Sequence, residues 1–90
     1  MKPFRWTVHA LRNLSDREIP RTEAEKALVD PEAVSPAGSS RQFFMHRYFD
    51  DRFQQKMLVR VLVEETPQER VVITVHITSK IGKYIGEAAP

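Results

Sequence analysis

Apolar residues recur along this chain with two periods: three to four residues in its first third, and two residues from about position 42 onward. Phe4 to Val8 is short, aromatic and β-branched, which predicts a first strand. Val8, Leu11 and Leu14 then recur at three-residue spacing with Ala10 beside them, so a short helix is expected, ending near Ser15 to Arg17. Pro20 marks a break, because proline disfavours helix in the residue before it. Thr22 and Glu25 stand at capping-box spacing, so a second helix is expected to open at Thr22. It should carry Ala24, Ala27 and Leu28 inward and stop at Asp30-Pro31.

Residues 31–40 are rich in Pro, Ser, Ala and Gly and read as a linker, with Val34 its one candidate for strand pairing. Gln42 to Phe49 then alternates, with Phe43, Met45 and Phe49 on one face and Phe44, His46 and Tyr48 on the other. Asp50-Asp51-Arg52 is a turn candidate. Met57 to Val63 is apolar at every position except Arg60, which predicts a central strand. After a turn at Thr66-Pro67, Val71, Ile73, Val75 and Ile77 alternate with Val72, Thr74, His76 and Thr78, a half-buried strand. Residues 79–90 read as a flexible tail of a single domain spanning 1–90. Helices followed by a block of strands predict an α+β fold: a four-stranded, mainly antiparallel sheet with two short helices packed on one face. The expected core is Phe4, Leu11, Leu28, Val59, Val61, Ile73 and Val75.

Ninety residues leave room for one core, and 41% hydrophobic with 29% charged residues excludes disorder, collagen and coiled coil. Cysteine is absent, which removes disulfides, a thiol nucleophile and thiolate metal sites. No apolar run approaches a membrane span, and the N-terminal residues lack a signal-like apolar segment, so a cytoplasmic protein is expected. The glycines have no phosphate-loop spacing and His9, His46 and His76 form no short metal motif, so neither metal nor cofactor is expected.

Charge changes the picture more than composition does. The net charge is only +2, but nine of the fourteen bases are arginine, suited to forked contacts with phosphate. Arg60 sits among leucines on the central strand, where a guanidinium needs water, a phosphate or an acidic partner. A purely structural role would pair Arg60 with Glu64 or Asp50. If the last two strands are antiparallel neighbours, Arg60 and His76 share the polar face. His9 and Arg17 would lie at its margin, and Lys80, Lys83 and Tyr84 would fold over or beside it.

Trp6-Thr7-Val8-His9-Ala10-Leu11 with Arg17, a helix ending at Asp30-Pro31, Tyr48 and the strand Val71 to Lys80 with Lys83-Tyr84 together resemble the bacterial domain-of-unknown-function family numbered 4258. That family is similar in architecture to the RelE/ParE superfamily of toxins from toxin–antitoxin operons. Asn13 stands where such sequences often carry an arginine four residues after the histidine. The resemblance implies a ribonuclease acting on mRNA without metal, with His9 or His76 as base or acid and Arg17 and Arg60 stabilising the phosphorane. Lys80 and Lys83 would contact the RNA backbone and Tyr84 would stack on a base. An antitoxin protein is the partner it implies. The ParE branch acts on a protein, which leaves a second reading: a non-catalytic module that binds a partner through its sheet.

Overall fold

The computed structural model describes residues 2–85. In chain order they form β1 (Phe4–Trp6), α1 (Val8–Asp16), α2 (Arg21–Val29), β2 (Ala33–Pro36), β3 (Arg41–Asp50), β4 (Gln55–Glu65), β5 (Arg70–Thr78) and α3 (Ile81–Tyr84). The fold is α+β, but the sheet has five strands in the order β1-β5-β4-β3-β2, not four. It is mixed, because β1 runs parallel to β5 while the other neighbours are antiparallel.

The additional strand comes from the segment that reads as a linker. Val34 pairs with Phe44 and Pro36 with Gln42, and the Glu32 and Ala37 N–H groups extend the ladder to Met45 and Arg41. Pro36 is tolerated because it ends an edge strand, and Gly38 turns the chain at a φ of +120°, which suits glycine. The capping box at Thr22 does not form. The Pro20 carbonyl instead accepts from Glu23 and Ala24, α2 opens at Arg21, and Glu25 is bound by Arg21 one turn earlier. The cap lies at α1, where the Thr7 hydroxyl accepts the Ala10 N–H.

Both longer helices pack on one face, α1 against β5 and α2 against β3 and β4. Ala10, Leu14, Ala24, Ala27 and Leu28 meet Phe44, Tyr48, Val59, Val61, Val72 and Val75 there. Two expected core residues are misplaced. Leu11 is 40% exposed, because the buried stripe of α1 runs through Ala10, Asn13 and Leu14. Ile73 is only half-buried. Leu62 pairs with Thr74 but Val63 with Val72, so Ile73 is the additional residue of a bulge, and Val72 takes its place in the core.

β1 is too short to cover β5. Beyond Trp6 the backbone of β5 is satisfied by side chains of α1 and its flanks. The Thr7 hydroxyl donates to the Val72 carbonyl (3.0 Å), and Asn13 Oδ1 accepts the Val75 N–H (2.9 Å) and the Thr74 hydroxyl (2.7 Å). Arg17 Nη1 donates to the Val75 carbonyl at 2.7 Å. A helix thus supplies what a longer edge strand would have supplied.

After β5, where a flexible tail was expected, the chain forms α3; residues 86–90 of that tail lie outside the described residues. Among the described residues no helix is long and apolar enough to cross a membrane.

Candidate functional site

The antiparallel register of β4 and β5 sets Arg60 directly opposite His76, on the face turned away from α1 and α2. Opposed residues of this kind have Cβ atoms about 5 Å apart, so their side chains interact. Met45 pairs with Arg60 and Phe43 with Leu62, which makes Phe43 the diagonal neighbour of Arg60 on that face. α3 supplies the remaining member. Tyr84 lies over the Arg60 guanidinium at 3.8 Å from ring centroid to Cζ, and Phe43 lies at 3.9 Å. The guanidinium is held between two π-faces, each contact contributing about 0.5–2 kcal/mol. The His76 ring meets Phe43 edge-on at 6.3 Å.

Arg60 Nη1 and His76 Nε2 are 3.2 Å apart. Arginine has only donors, so His76 Nε2 accepts and the imidazole is neutral with its proton on Nδ1. Burial lowers the His76 pKa below its ordinary 6.5, and the positive charges of Arg60 and Arg17 lower it further. Burial also lowers the Arg60 pKa, yet a guanidinium in this position stays charged. Arg60 Nε is buried without a hydrogen-bond partner.

The structural pairing open to Arg60 does not occur. Glu64 is bound by Arg41 at 3.1 Å, while Asp50 accepts from the Tyr48 hydroxyl and the Arg52 and Phe53 N–H groups. Most other bases are ion-paired, including Lys2 with Glu65, Arg5 with Glu69, Arg47 with Glu32 and Arg52 with Glu18. Among the described residues, Arg12, Arg17, Lys56, Arg60, Lys80 and Lys83 have no carboxylate partner. Of these, Lys56 and Arg60 stand on or beside the face opposite α1 and α2, and Arg17 lies at its β5 rim. Lys80 and Lys83 belong to the segment after β5, with Lys83 Nζ 5.3 Å from the Tyr84 ring.

Arg60, His76 and Tyr84 therefore converge as the sequence predicts, and Lys83 flanks them. Lys80 is exposed just before α3. Arg17 is corrected in part: it is close enough to affect His76, but its guanidinium binds the β5 backbone. His9 is corrected outright, since it is exposed in the first turn of α1 and bonds to none of these groups. Phe43 was missed as a site residue. Its strand face was legible, but its place beside Arg60 depends on the β3–β4 register, which the Asp50–Gln55 end of the hairpin fixes.

A second polar group lies beneath α2, where His46 Nε2 meets Glu23 Oε1 at 3.0 Å and the Tyr48 hydroxyl donates to Asp50 at 2.9 Å. Burial, with the neighbouring carboxylate, pushes the Tyr48 hydroxyl pKa up. Burial pushes Asp50 up as well, but the three hydrogen bonds it accepts prevail and hold it below the usual value. A cavity of about 300 Å³ opens beside this group. Its buried groups are mutually satisfied, so it reads as the tie between α2 and the hairpin. Among the described residues no three His, Asp or Glu side chains are arranged to hold a metal ion. Compared with protein-family models, with curated proteins and with solved structures, the chain matches none.

Proposed function

We propose that this protein is a RelE/ParE-like toxin that binds RNA on the Arg60–His76 face and cleaves it there. The observation that carries the reading is Arg60: a half-buried guanidinium with no carboxylate partner among the described residues, held between Phe43 and Tyr84 and bonded to a neutral imidazole. A phosphate that engages the guanidinium competes for its donors and releases the His76 Nε2 lone pair. That nitrogen then takes the proton of a 2′-hydroxyl, and the 2′-oxygen bonds to phosphorus. The P–O5′ bond breaks, and the leaving oxygen takes a proton from water. Products are a 2′,3′-cyclic phosphate and a 5′-hydroxyl. Arg60 supports the charge that builds on the phosphorane, with Lys80 and Lys83 nearby to hold the backbone.

The test is cleavage of oligoribonucleotides, with product ends identified by mass spectrometry. His76→Gln and Arg60→Lys should each lose on the order of 100-fold in rate while melting within a few degrees of wild type. Absence of cleavage by the wild type, or variants as active as it, would overturn the catalytic reading. One observation favours a second reading: His76 Nε2 is already occupied by Arg60. A face in that state holds an anion without turning it over, such as an acidic segment of an antitoxin. Then partner affinity falls in both variants and no RNA is cut by any form.

A further inference from the structure

We infer that α3 is a lid over Arg60, and that RNA reaches the guanidinium only when α3 lifts from the sheet. The inference rests on the RNA reading above and adds to it the regulation of the same site. The Tyr84 ring centroid lies 3.8 Å from Arg60 Cζ and that of Phe43 lies 3.9 Å from it, so the guanidinium is covered by aromatic rings. Only its edges are left for a ligand. Nη1 is occupied by His76 Nε2. Nε and Nη2 point along another edge and form the kind of fork that grips a phosphate through two parallel hydrogen bonds. Neither has a hydrogen-bond partner among the described residues, and Nε is buried. A buried charged donor left without a partner is costly and calls for an explanation. Phe43 is fixed within β3, whereas Tyr84 belongs to an element that can move aside.

α3 is weakly held. It has four residues, Gly82 among them, none is buried, and its N-cap Lys80 makes no side-chain capping bond. A single turn containing glycine has little stability of its own. Ile81, Tyr84 and Ile85 are half-buried and stand three and four residues apart, so they share the side of the turn that lies on Arg60. The closed position also gathers like charges. Arg60 Cζ and Lys83 Nζ both lie against the Tyr84 ring, at 3.8 Å and 5.3 Å, and neither has a carboxylate partner among the described residues. Their repulsion opposes closure. The hinge is Ser79-Lys80, where Lys80 is non-helical and its N–H donates to the Thr78 hydroxyl. A phosphate on the Nε–Nη2 fork gives the orphaned donor its partner, so it binds the open state better and draws the lid open. With Tyr84 lifted, the Arg60 side chain can shift toward the phosphate and free His76 Nε2, which the cleavage step requires.

The experiment titrates a fluorescent 2′-O-methyl uridine trinucleotide, which lacks the attacking hydroxyl, and follows binding by anisotropy. Tyr84→Ala should bind it about tenfold more tightly, the gain expected if the wild-type lid is open about one-tenth of the time. Tyr84→Phe keeps the ring and should return the affinity to that of wild type. In the Arg60→Lys background the gain from Tyr84→Ala should vanish, because it comes from uncovering the guanidinium fork. Since α3 has no buried residue, Tyr84→Ala should melt within a few degrees of wild type. Amide exchange with solvent, measured by NMR, reads the motion itself. The Lys83 and Ile85 amides, which bond to the Lys80 and Ile81 carbonyls, should exchange faster in the complex while Val61 is unchanged. If the wild type binds the trinucleotide but Tyr84→Ala binds it no more tightly, or if Lys83 and Ile85 exchange more slowly in the complex, the lid is wrong and the RNA reading stands. If neither the wild type nor Tyr84→Ala binds, the RNA reading fails and the lid with it.

Discussion

Replacing Asn13 by alanine removes the acceptor that holds β5 where β1 has ended. Asn13 is 5% exposed, and its Oδ1 takes both the Val75 N–H and the Thr74 hydroxyl. In Asn13→Ala the Thr74 hydroxyl can rotate toward another acceptor, but the Val75 N–H is fixed by the strand and faces the helix with nothing to donate to. A buried donor left unpaired costs about 1–3 kcal/mol, and the small void adds to it, so a loss of about 2 kcal/mol is expected. For a chain of this size that lowers Tm by about 8–16 °C. Urea unfolding followed by the fluorescence of Trp6, the single tryptophan, measures the loss. Hydrogen exchange locates it: the Val75 amide should exchange faster in the variant by more than the global loss explains, while Val61 follows the global change. Asn13→Asp keeps an acceptor beside the Arg17 guanidinium and should retain Val75 protection. A loss below about 0.5 kcal/mol, or an unchanged Val75 amide, would show that the helix does not stand in for a strand here.

Val61→Ala, at a residue with no exposed surface on the central strand, should cost about 1–3 kcal/mol by urea unfolding with the slope unchanged. Glu18 adopts φ +52° after α1, where the Ile19 N–H reaches back to the Leu14 carbonyl, so Glu18→Gly should raise stability by about 0.5–1 kcal/mol despite losing an exposed 3.7 Å pair with Arg52. His76 is held below 6.5 in the folded chain, so the unfolded chain binds the additional proton between that lowered value and 6.5. Stability should therefore rise with pH across that window and level off above it, and His76→Gln should remove that part of the slope; an imidazole titrating at or above 6.5 by NMR would refute the Arg60–His76 geometry.

The long periodic segments were legible because burial writes itself into spacing. Ala24, Ala27 and Leu28 mark α2, and the alternation on β3 assigns Phe43 and Phe44 to opposite faces correctly. β2 was hidden because an edge strand of four residues needs little from its side chains; its pairing comes from backbone groups of Ala33 to Pro36. Parallel pairing of β1 with β5 was equally silent, since no local pattern reports a partner so distant in the chain. The bulge at Ile73 broke an otherwise clean alternation, and one additional residue sufficed to exchange Val72 for Ile73 in the core. At the site, Arg60 and His76 could be paired from the sequence because both interrupt apolar strands. Phe43 and Tyr84 could not be placed against Arg60, because one depends on hairpin register and the other on how α3 turns back. Asn13 looked like a gap in a family pattern, and its buried hydrogen bonds give it a reason of its own.

The parallel pairing of β1 sets the order in which the chain can assemble. Phe4 pairs with Arg70 and Trp6 with Val72, so β1 finds its neighbour only after both longer helices and the β3–β4 hairpin have been made. Closing that long loop costs about 1.7 kcal/mol more entropy than closing a loop of about ten residues. The β3–β4–β5 meander needs only short closures and can form without it. During synthesis β1 must therefore wait, and Thr7 and Asn13 with it, until β5 is complete.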